Sequence, residues 1–191
     1  NLYYGDIEDK YVNHQTVQSY INDVVQLFPY QVSEHKAEQI IQWAHLGNQL
    51  QHKISSLSNN EYAQLLLSIV RTSQSAIIVL NHVLTYLDNT FFKRAIELSN
   101  DYIKENKTLV LIDDDIDKIS ETSNYITWVS HGQIRKEGSL NQVLPMFREH
   151  EKDRLSLIST SEIENFDYDW KKNRSCTPEM TYNFKRIERY N

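Results

Sequence analysis

Apolar residues recur along this chain with two periods, and the changes of period mark an alternation of helix and strand. "TVQSYINDVVQLF" spaces Val17, Ile21, Val24, Val25 and Phe28 three and four residues apart, one helix face, with Thr16 as N-cap and Pro29 as a stop. "SEHKAEQIIQWAHLG" repeats the pattern with Ala37, Ile40, Ile41 and Ala44, Ser33 as N-cap and Gly47 at the end, so two helices pair into a small unit. "LSNNEYAQLLLSIVRTS" holds a more apolar helix bearing Tyr62, Leu65, Leu66, Ile69 and Val70, and Ser58 with Glu61 three residues on spells a capping box. The four consecutive apolar residues Ile77 to Leu80 then predict a strand buried on both faces, and "KTLVLI" before Asp113, Asp114 and Asp115 predicts a second buried strand. "NTFFKRAIELSNDYIKEN" lies between them as a helix. A short aromatic strand over Leu2 to Gly5 precedes all of this. A helix from Asp117, a strand "YITWVS", a turn at His131 and Gly132, a strand "QIRKEG" and a helix "SLNQVLPMF" complete an α/β alternation.

Composition narrows the class. The 191 residues are 40% hydrophobic and 24% charged, enough for one globular domain with a sizeable core and a tail. A formal net charge of -6 argues against a nucleic-acid footprint, which needs clustered Lys and Arg facing phosphates. Beyond Phe147 the composition turns charged and aromatic, which reads as a helix-containing extension. Its Phe166, Tyr168, Trp170, Tyr182, Phe184 and Tyr190, interleaved with Lys171, Lys172, Arg174, Lys185 and Arg186, would suit stacking on a nucleic acid. Glu162, Glu164, Asp167 and Asp169 among them favour packing on the domain or on a protein partner instead. One cysteine, Cys176, excludes a disulfide framework and points to a reducing, cytosolic setting. No apolar run approaches the roughly 18 residues of a membrane span, so any membrane link is expected to pass through a partner.

The candidate chemistry lies at strand ends, where α/β enzymes usually place acidic groups. Asn81 and His82 stand there instead. Asp113, Asp114 and Asp117 spell the D-D-x-x-D that binds Mg²⁺-diphosphate from a helix in prenyl-transferring enzymes, but after a strand these carboxylates are expected to cap the next helix. His82 and His131 sit in no H-x-x-x-H or H-E-x-x-H frame, so no metal site is expected. The four glycines, Gly5, Gly47, Gly132 and Gly138, write no G-x-x-x-x-G-K-[ST] and no G-x-G-x-x-G. Leu65, Leu66 and Ile69 read as core, and Trp43 and Trp128 as core or interface aromatics.

From Thr16 to Phe147 the landmarks, in order, resemble the second half of an ATP-binding cassette (ABC) ATPase, the nucleotide-binding subunit of ABC transporters. "LSNNE" at Leu57 to Glu61 resembles the signature at a helix start, "IIVLNH" at Ile77 to His82 the Walker B strand, Leu87-Asp88 the D-loop, and "KTLVLIDDD" the strand before the switch histidine. "HGQIRKEGSLNQVLPMF" with its charged extension looks most like the teichoic-acid and polysaccharide exporter branch. The resemblance implies a P-loop NTPase-like sheet, incomplete at its N-terminus. It divides the chain into a partial strand and loop region at 1–15, a helical subdomain at 16–56, an ABC core at 57–147 and an extension at 148–191.

The resemblance also implies roles and departures. Leu57, Ser58, Asn59, Asn60 and Glu61, with Asp88, would contact a partner's nucleotide. Asn59 and Asn60 replace signature glycines, and asparagine tolerates positive φ best among other residues. Asn81, His82 and Asp114 stand where the family carries the Walker B acids and the switch histidine, so no catalytic residues are expected in this chain. The glutamine-bearing loop has no clear counterpart, with Asp6 or Gln15 nearest in sequence. No cofactor is expected in this chain alone; ATP and Mg²⁺ would come through a partner or an upstream P-loop. The implied partners are a membrane permease and a second nucleotide-binding subunit, with no nucleic acid and no direct membrane insertion, and the implied place is the cytoplasm, peripheral to the inner face of the cell membrane. The permease would dock on the helical pair, where Tyr20, Leu27, Phe28 and Tyr30 are expected to include exposed residues. The implied function is that of an exporter's ATP-binding subunit, degenerate and non-hydrolytic alone, structural or regulatory. The alternatives are a stand-alone scaffold on an ABC-derived fold, or a fragment of an active ATPase whose P-loop lies upstream.

Overall fold

The computed structural model of the chain describes residues 2–27, 34–73, 75–130 and 132–155. They fall into two compact units that meet in sequence at Asn124 and Tyr125. The first contains β1 (Leu2–Asp6), α1 (Asp9–Val12), α2 (Val17–Gln26), α3 (Glu34–Ala44), α4 (Asn59–Ser73), β2 (Ile77–Asn81), α5 (Asn89–Lys104), β3 (Thr108–Ile112) and α6 (Ile116–Thr122). The second contains β4 (Tyr125–Ser130), β5 (Gln133–Ser139) and α7 (Leu140–Leu155). Phe28, Pro29, Tyr30, Ser33, His131, Cys176 and the tail aromatics lie outside the described residues.

Each long helix begins and ends for a local reason. Thr16 caps α2 by accepting a hydrogen bond from the Ser19 N–H, and Val17, Ile21, Val24 and Val25 form its buried stripe. α3 was expected to end at Gly47, but the left-handed residue is His45, with φ 58°. The Leu46 N–H reaches back to the Ile41 carbonyl and the His45 N–H to that of Gln42, a Schellman closure that a histidine can make. Asn106, with φ 54°, closes α5 in the same way. At the start of α4 the capping box is complete: Ser58 Oγ accepts from the Glu61 N–H at 3.2 Å, and the Glu61 carboxylate accepts from the Ser58 N–H at 2.7 Å and Oγ–H at 2.8 Å. Partial burial alone would raise the Glu61 carboxyl. The donors from Ser58 and Gln49, helped by the charge on His52, outweigh it and hold the group below its ordinary value.

The three strands form a parallel sheet in the order β1-β2-β3, with Asp6 opposite Asn81 and Asn81 opposite Ile112. α4 packs on one face closely enough that a Cβ on Gly5 would lie 3.2 Å from Leu80 Cδ2 and 3.4 Å from Leu66 Cδ2. That face carries Ile78 and Leu80, 0% and 1% exposed. β2 and β3 were expected to be buried on both faces, and here the structure differs. Ile77, Val110 and Ile112 are 42%, 40% and 48% exposed, and Leu2 and Tyr4 beside them are exposed too. The helices of this unit supply one covering layer, so the apolar run in β2 alternates in burial although it does not alternate in chemistry.

In the second unit β4 and β5 form an antiparallel hairpin with a bulge between Trp128 and Val129. α7 lies on it, bringing Phe147 and His150 edge-on to Trp128 at ring separations of 5.2 and 4.9 Å. The helix expected to end at Phe147 continues to Leu155.

Two outcomes are expected in chemical denaturation. Leu80→Ala should cost about 2–5 kcal/mol, whereas Ile112→Thr on the open face should change stability by no more than about 0.5 kcal/mol. Because the folded Glu61 carboxyl titrates below its unfolded value, the stability it contributes is present above that unfolded value and is lost as the pH falls through the lowered one. Glu61→Gln should therefore flatten the stability profile on the acid side of the ordinary glutamate range; an unchanged acid limb would remove Glu61 as its cause.

Candidate functional site

The carboxyl ends of β1, β2 and β3 bring Asp6, Asn81, His82 and Asp114 to one edge of the sheet. Asp6 does not stand free. It accepts hydrogen bonds from Tyr4 Oη–H at 2.7 Å, the Glu8 N–H at 2.9 Å and Asn81 Nδ2–H at 2.8 Å. Burial pushes its carboxyl up, but these donors and the nearby His82 prevail and hold it below the usual range. The Asn81 amide is thus half of a structural pair. Sequence reasoning placed Asp6 only loosely, because its partner lies 75 residues away. His82 leaves β2 in the left-handed region, φ 52°, with its N–H bonded to the Ile112 carbonyl at 2.8 Å and its Nδ1 3.9 Å from Asp114 Oδ2.

The acidic run after β3 has structural duties. Asp113 accepts from the Thr85 N–H and hydroxyl and from the Asp115 N–H. The helix-capping reading points to Asp113, Asp114 and Asp117, but the cap of α6 is Asp115, which accepts from the Lys118 N–H at 3.1 Å. Among the described residues no three His, Cys, Asp or Glu side chains are grouped to hold a metal. A Mg²⁺-nucleotide needs a free carboxylate here and a phosphate-binding loop, and the uncharged Asn81 and the fully engaged Asp6 do not fit it.

The second cluster surrounds the start of α4. Lys10, 5% exposed, donates from Nζ to the Leu57 carbonyl at 2.9 Å and to Asn59 Oδ1. Asn60 Nδ2 donates to the Tyr86 carbonyl at 2.8 Å, and Gln64 Nε2 donates to Asn60 Oδ1 and to Asp88 Oδ2. The other oxygen of Asp88 accepts from the Thr90 and Phe91 N–H groups, capping α5. Lys118 Nζ meets three carbonyls, Leu84, Thr85 and Leu87, at 2.8, 3.0 and 3.1 Å. Leu57 to Glu61 and Asp88 are therefore brought together, and the 3₁₀ turn Leu84–Tyr86 joins them to Asp113. Neither Lys10 nor Lys118 carries a sequence signal, since both answer backbone carbonyls set by tertiary packing.

A cleft of about 730 Å³ opens between α1 and α2, lined by Asp9, Val12, Asn13, His14, Gln15, Tyr20 and Tyr62. Burial, reinforced by neighbouring Tyr20, drives the Tyr62 phenol far above its ordinary value. Val12 and Leu27 are well exposed in this part of the unit, while Tyr20 is half-buried. No helix among the described residues is long and apolar enough to cross a membrane.

No family model matches the chain. In sequence it is similar to the teichoic acids export ATP-binding protein TagH of Staphylococcus haemolyticus, 27% identical over 115 residues, which cover 60% of this chain and 44% of that protein. The protein of the same name from Listeria monocytogenes is 25% identical over 113 residues, covering 59% of this chain and 34% of that one. The match therefore spans less than half the length of these curated relatives. Among solved structures, a dimeric ATP-binding cassette in a post-hydrolysis state bound to ADP and phosphate superposes with a TM-score of 0.57 at 16% identity, over 72% of this chain and 63% of that one. An ATP-binding subunit of an ABC transporter superposes with a TM-score of 0.58 at 13% identity, over 88% of this chain and 68% of that one. The chain shares the fold of ATP-binding cassette domains, and over the matched stretch its sequence is similar to that of the teichoic acids export ATP-binding proteins.

Proposed function

We propose that this chain acts as the ATP-binding-subunit-like part of a teichoic-acid or polysaccharide exporter and contributes structure or regulation, with no hydrolysis of its own. The observation that carries the reading is Asn81, whose amide is tied to Asp6 at the strand end where an ATPase needs a charged metal-holding pair. The start of α4, with Ser58, Asn59 and Asn60, faces a nucleotide held by a second subunit. Glu61 holds both donors of Ser58, so its carboxylate must turn away before an anion is accepted there. A membrane permease docks along α1 and α2, through the cleft wall of Val12, Tyr20 and Tyr62 and through the exposed Leu27 at the far end of α2, which keeps the chain at the inner face of the membrane.

Titration calorimetry of this chain with Mg-ATP should give no saturable micromolar isotherm. Several charge-assisted contacts of about 1.5–3 kcal/mol each are lost together without a phosphate loop. Asn81→Asp with His82→Glu should yield no Mg-dependent phosphate release. The carboxylate introduced at position 81 would meet Asp6 across a 2.8 Å hydrogen bond now made by an amide. Like charges raise one of the two carboxyls above its unfolded value, so the variant should lose about 1 kcal/mol or more at neutral pH and recover part of it as the pH falls through that raised value. Turnover above the unsubstituted chain would overturn the absence of a phosphate-binding loop from these residues. Val12→Asp with Leu27→Asp should leave the melting temperature within a few degrees and abolish co-purification with a co-expressed exporter permease; retained co-purification would remove the cleft as the docking surface.

A further inference from the structure

A second cleft, about 640 Å³, lies away from both clusters, between α3, the last turn of α4 and α5. Its walls include Lys36, Trp43, His45, Arg71 and Arg94, and no carboxylate lines it among the described residues. In a chain of net charge -6 this is a concentrated patch of positive charge. The two arginines are held by aromatic stacking: the Arg94 guanidinium carbon lies 4.8 Å from the Trp43 ring centre and 4.6 Å from that of Phe91, and the Arg71 carbon 5.1 Å from Trp43. Arg94 also donates from Nη1 to the Trp43 carbonyl at 3.0 Å.

Part of this has a purely structural purpose. Arg71 complements the negative end of α4, and Arg94 satisfies a carbonyl in the last turn of α3. Those duties occupy one donor of Arg94 and none of Arg71. A guanidinium carries five donors, so these duties leave donors for a ligand, and neither arginine pairs with a carboxylate among the described residues. Stacking also removes most of the rotamer entropy that a free arginine loses on binding.

We propose that this cleft is a binding site for a small phosphate-bearing anion, a phosphomonoester or a diphosphate, clamped by Arg71 and Arg94 with Lys36 adding charge. Two planar forks match the several oxygens of a phosphate or diphosphate, whereas a monoanionic carboxylate has oxygens for only one of them. The cleft volume falls in the range of small-molecule sites. An anion held there bridges α3 to α4 and α5, so occupancy ties the helical pair to the helix whose other end carries Ser58. The site needs no P-loop and does not depend on the exporter reading.

The test is calorimetry and thermal unfolding of this chain, without Mg²⁺, against pyrophosphate, inorganic phosphate and acetate, with Arg71→Gln and Arg94→Lys. Pyrophosphate should bind saturably, weaker than micromolar and weakened further by salt, and should raise the melting temperature; acetate should bind at least about tenfold less tightly. Each variant should lose about tenfold or more in pyrophosphate affinity, the loss expected when a charged hydrogen-bonding partner is removed. Arg71 is exposed, so its replacement leaves folding intact and decides the matter if Arg94→Lys proves unstable. Vesicles of phosphatidic acid, with phosphatidylcholine as control, separate the sources: competition with pyrophosphate assigns a lipid headgroup, and none assigns a soluble phosphate compound. Absence of saturable pyrophosphate binding, or an Arg71→Gln affinity within about twofold of the unsubstituted chain, would overturn the proposal.

Discussion

The first unit depends on the burial of α4, which is covered all round from Tyr62 to Val70. A helix with no wet face must satisfy every polar group it carries inside the protein. Ser68 returns its hydroxyl hydrogen to the Gln64 carbonyl at 2.6 Å, and the Gln64 amide reaches Asn60 and Asp88. Through Asp88, which caps α5, the start of the next helix is placed relative to α4. One buried glutamine thereby couples Asn60 at the start of α4 to Asp88 at the start of α5, and Lys10 and Lys118 are likewise drawn onto nearby backbone carbonyls.

Charge at the sheet end follows a different logic from that of an active ATPase. An amide donates where a second carboxylate would repel, and together with the other donors and the nearby His82 it holds the Asp6 carboxyl below its usual range. Asp113 and Asp115 after β3 spend oxygens on Thr85 and on the start of α6, while Asp114 stands exposed beside His82. Most of the polar groups at this end of the sheet are thus engaged with one another. The start of α4 is similarly closed by Glu61, but that closure is a single side chain on the surface and reversible by rotation about its own bonds.

The family likeness constrains the fold more than the activity. Structural neighbours below one fifth identity share the order of strands and helices with this chain, and the sequence relatives match it over part of their length. Activity in such folds lives in particular side chains, which a likeness of fold does not supply.

The amino-acid sequence by itself determined the local structure. The spacing of Val17, Ile21, Val24 and Val25, the capping pair Ser58 and Glu61, and the run from Ile77 to Leu80 are short-range signals, and each produced the helix, cap or strand it spells. It also made the family resemblance readable, because landmark order is a one-dimensional property. It did not determine which residue would close α3, since His45 and Gly47 can both supply a turn and the winner depends on where α4 stops the chain. It did not reveal that Ile77, Val110 and Ile112 would be exposed, because an apolar residue carries no mark of whether a second layer will cover it. The pairing of Asp6 with Asn81, the anchoring of Lys118 on three carbonyls and the meeting of Arg71 and Arg94 over Trp43 belong to the tertiary structure alone. Each joins residues distant in the chain, and only the packing of α3, α4 and α5 and the register of the sheet bring those groups within reach.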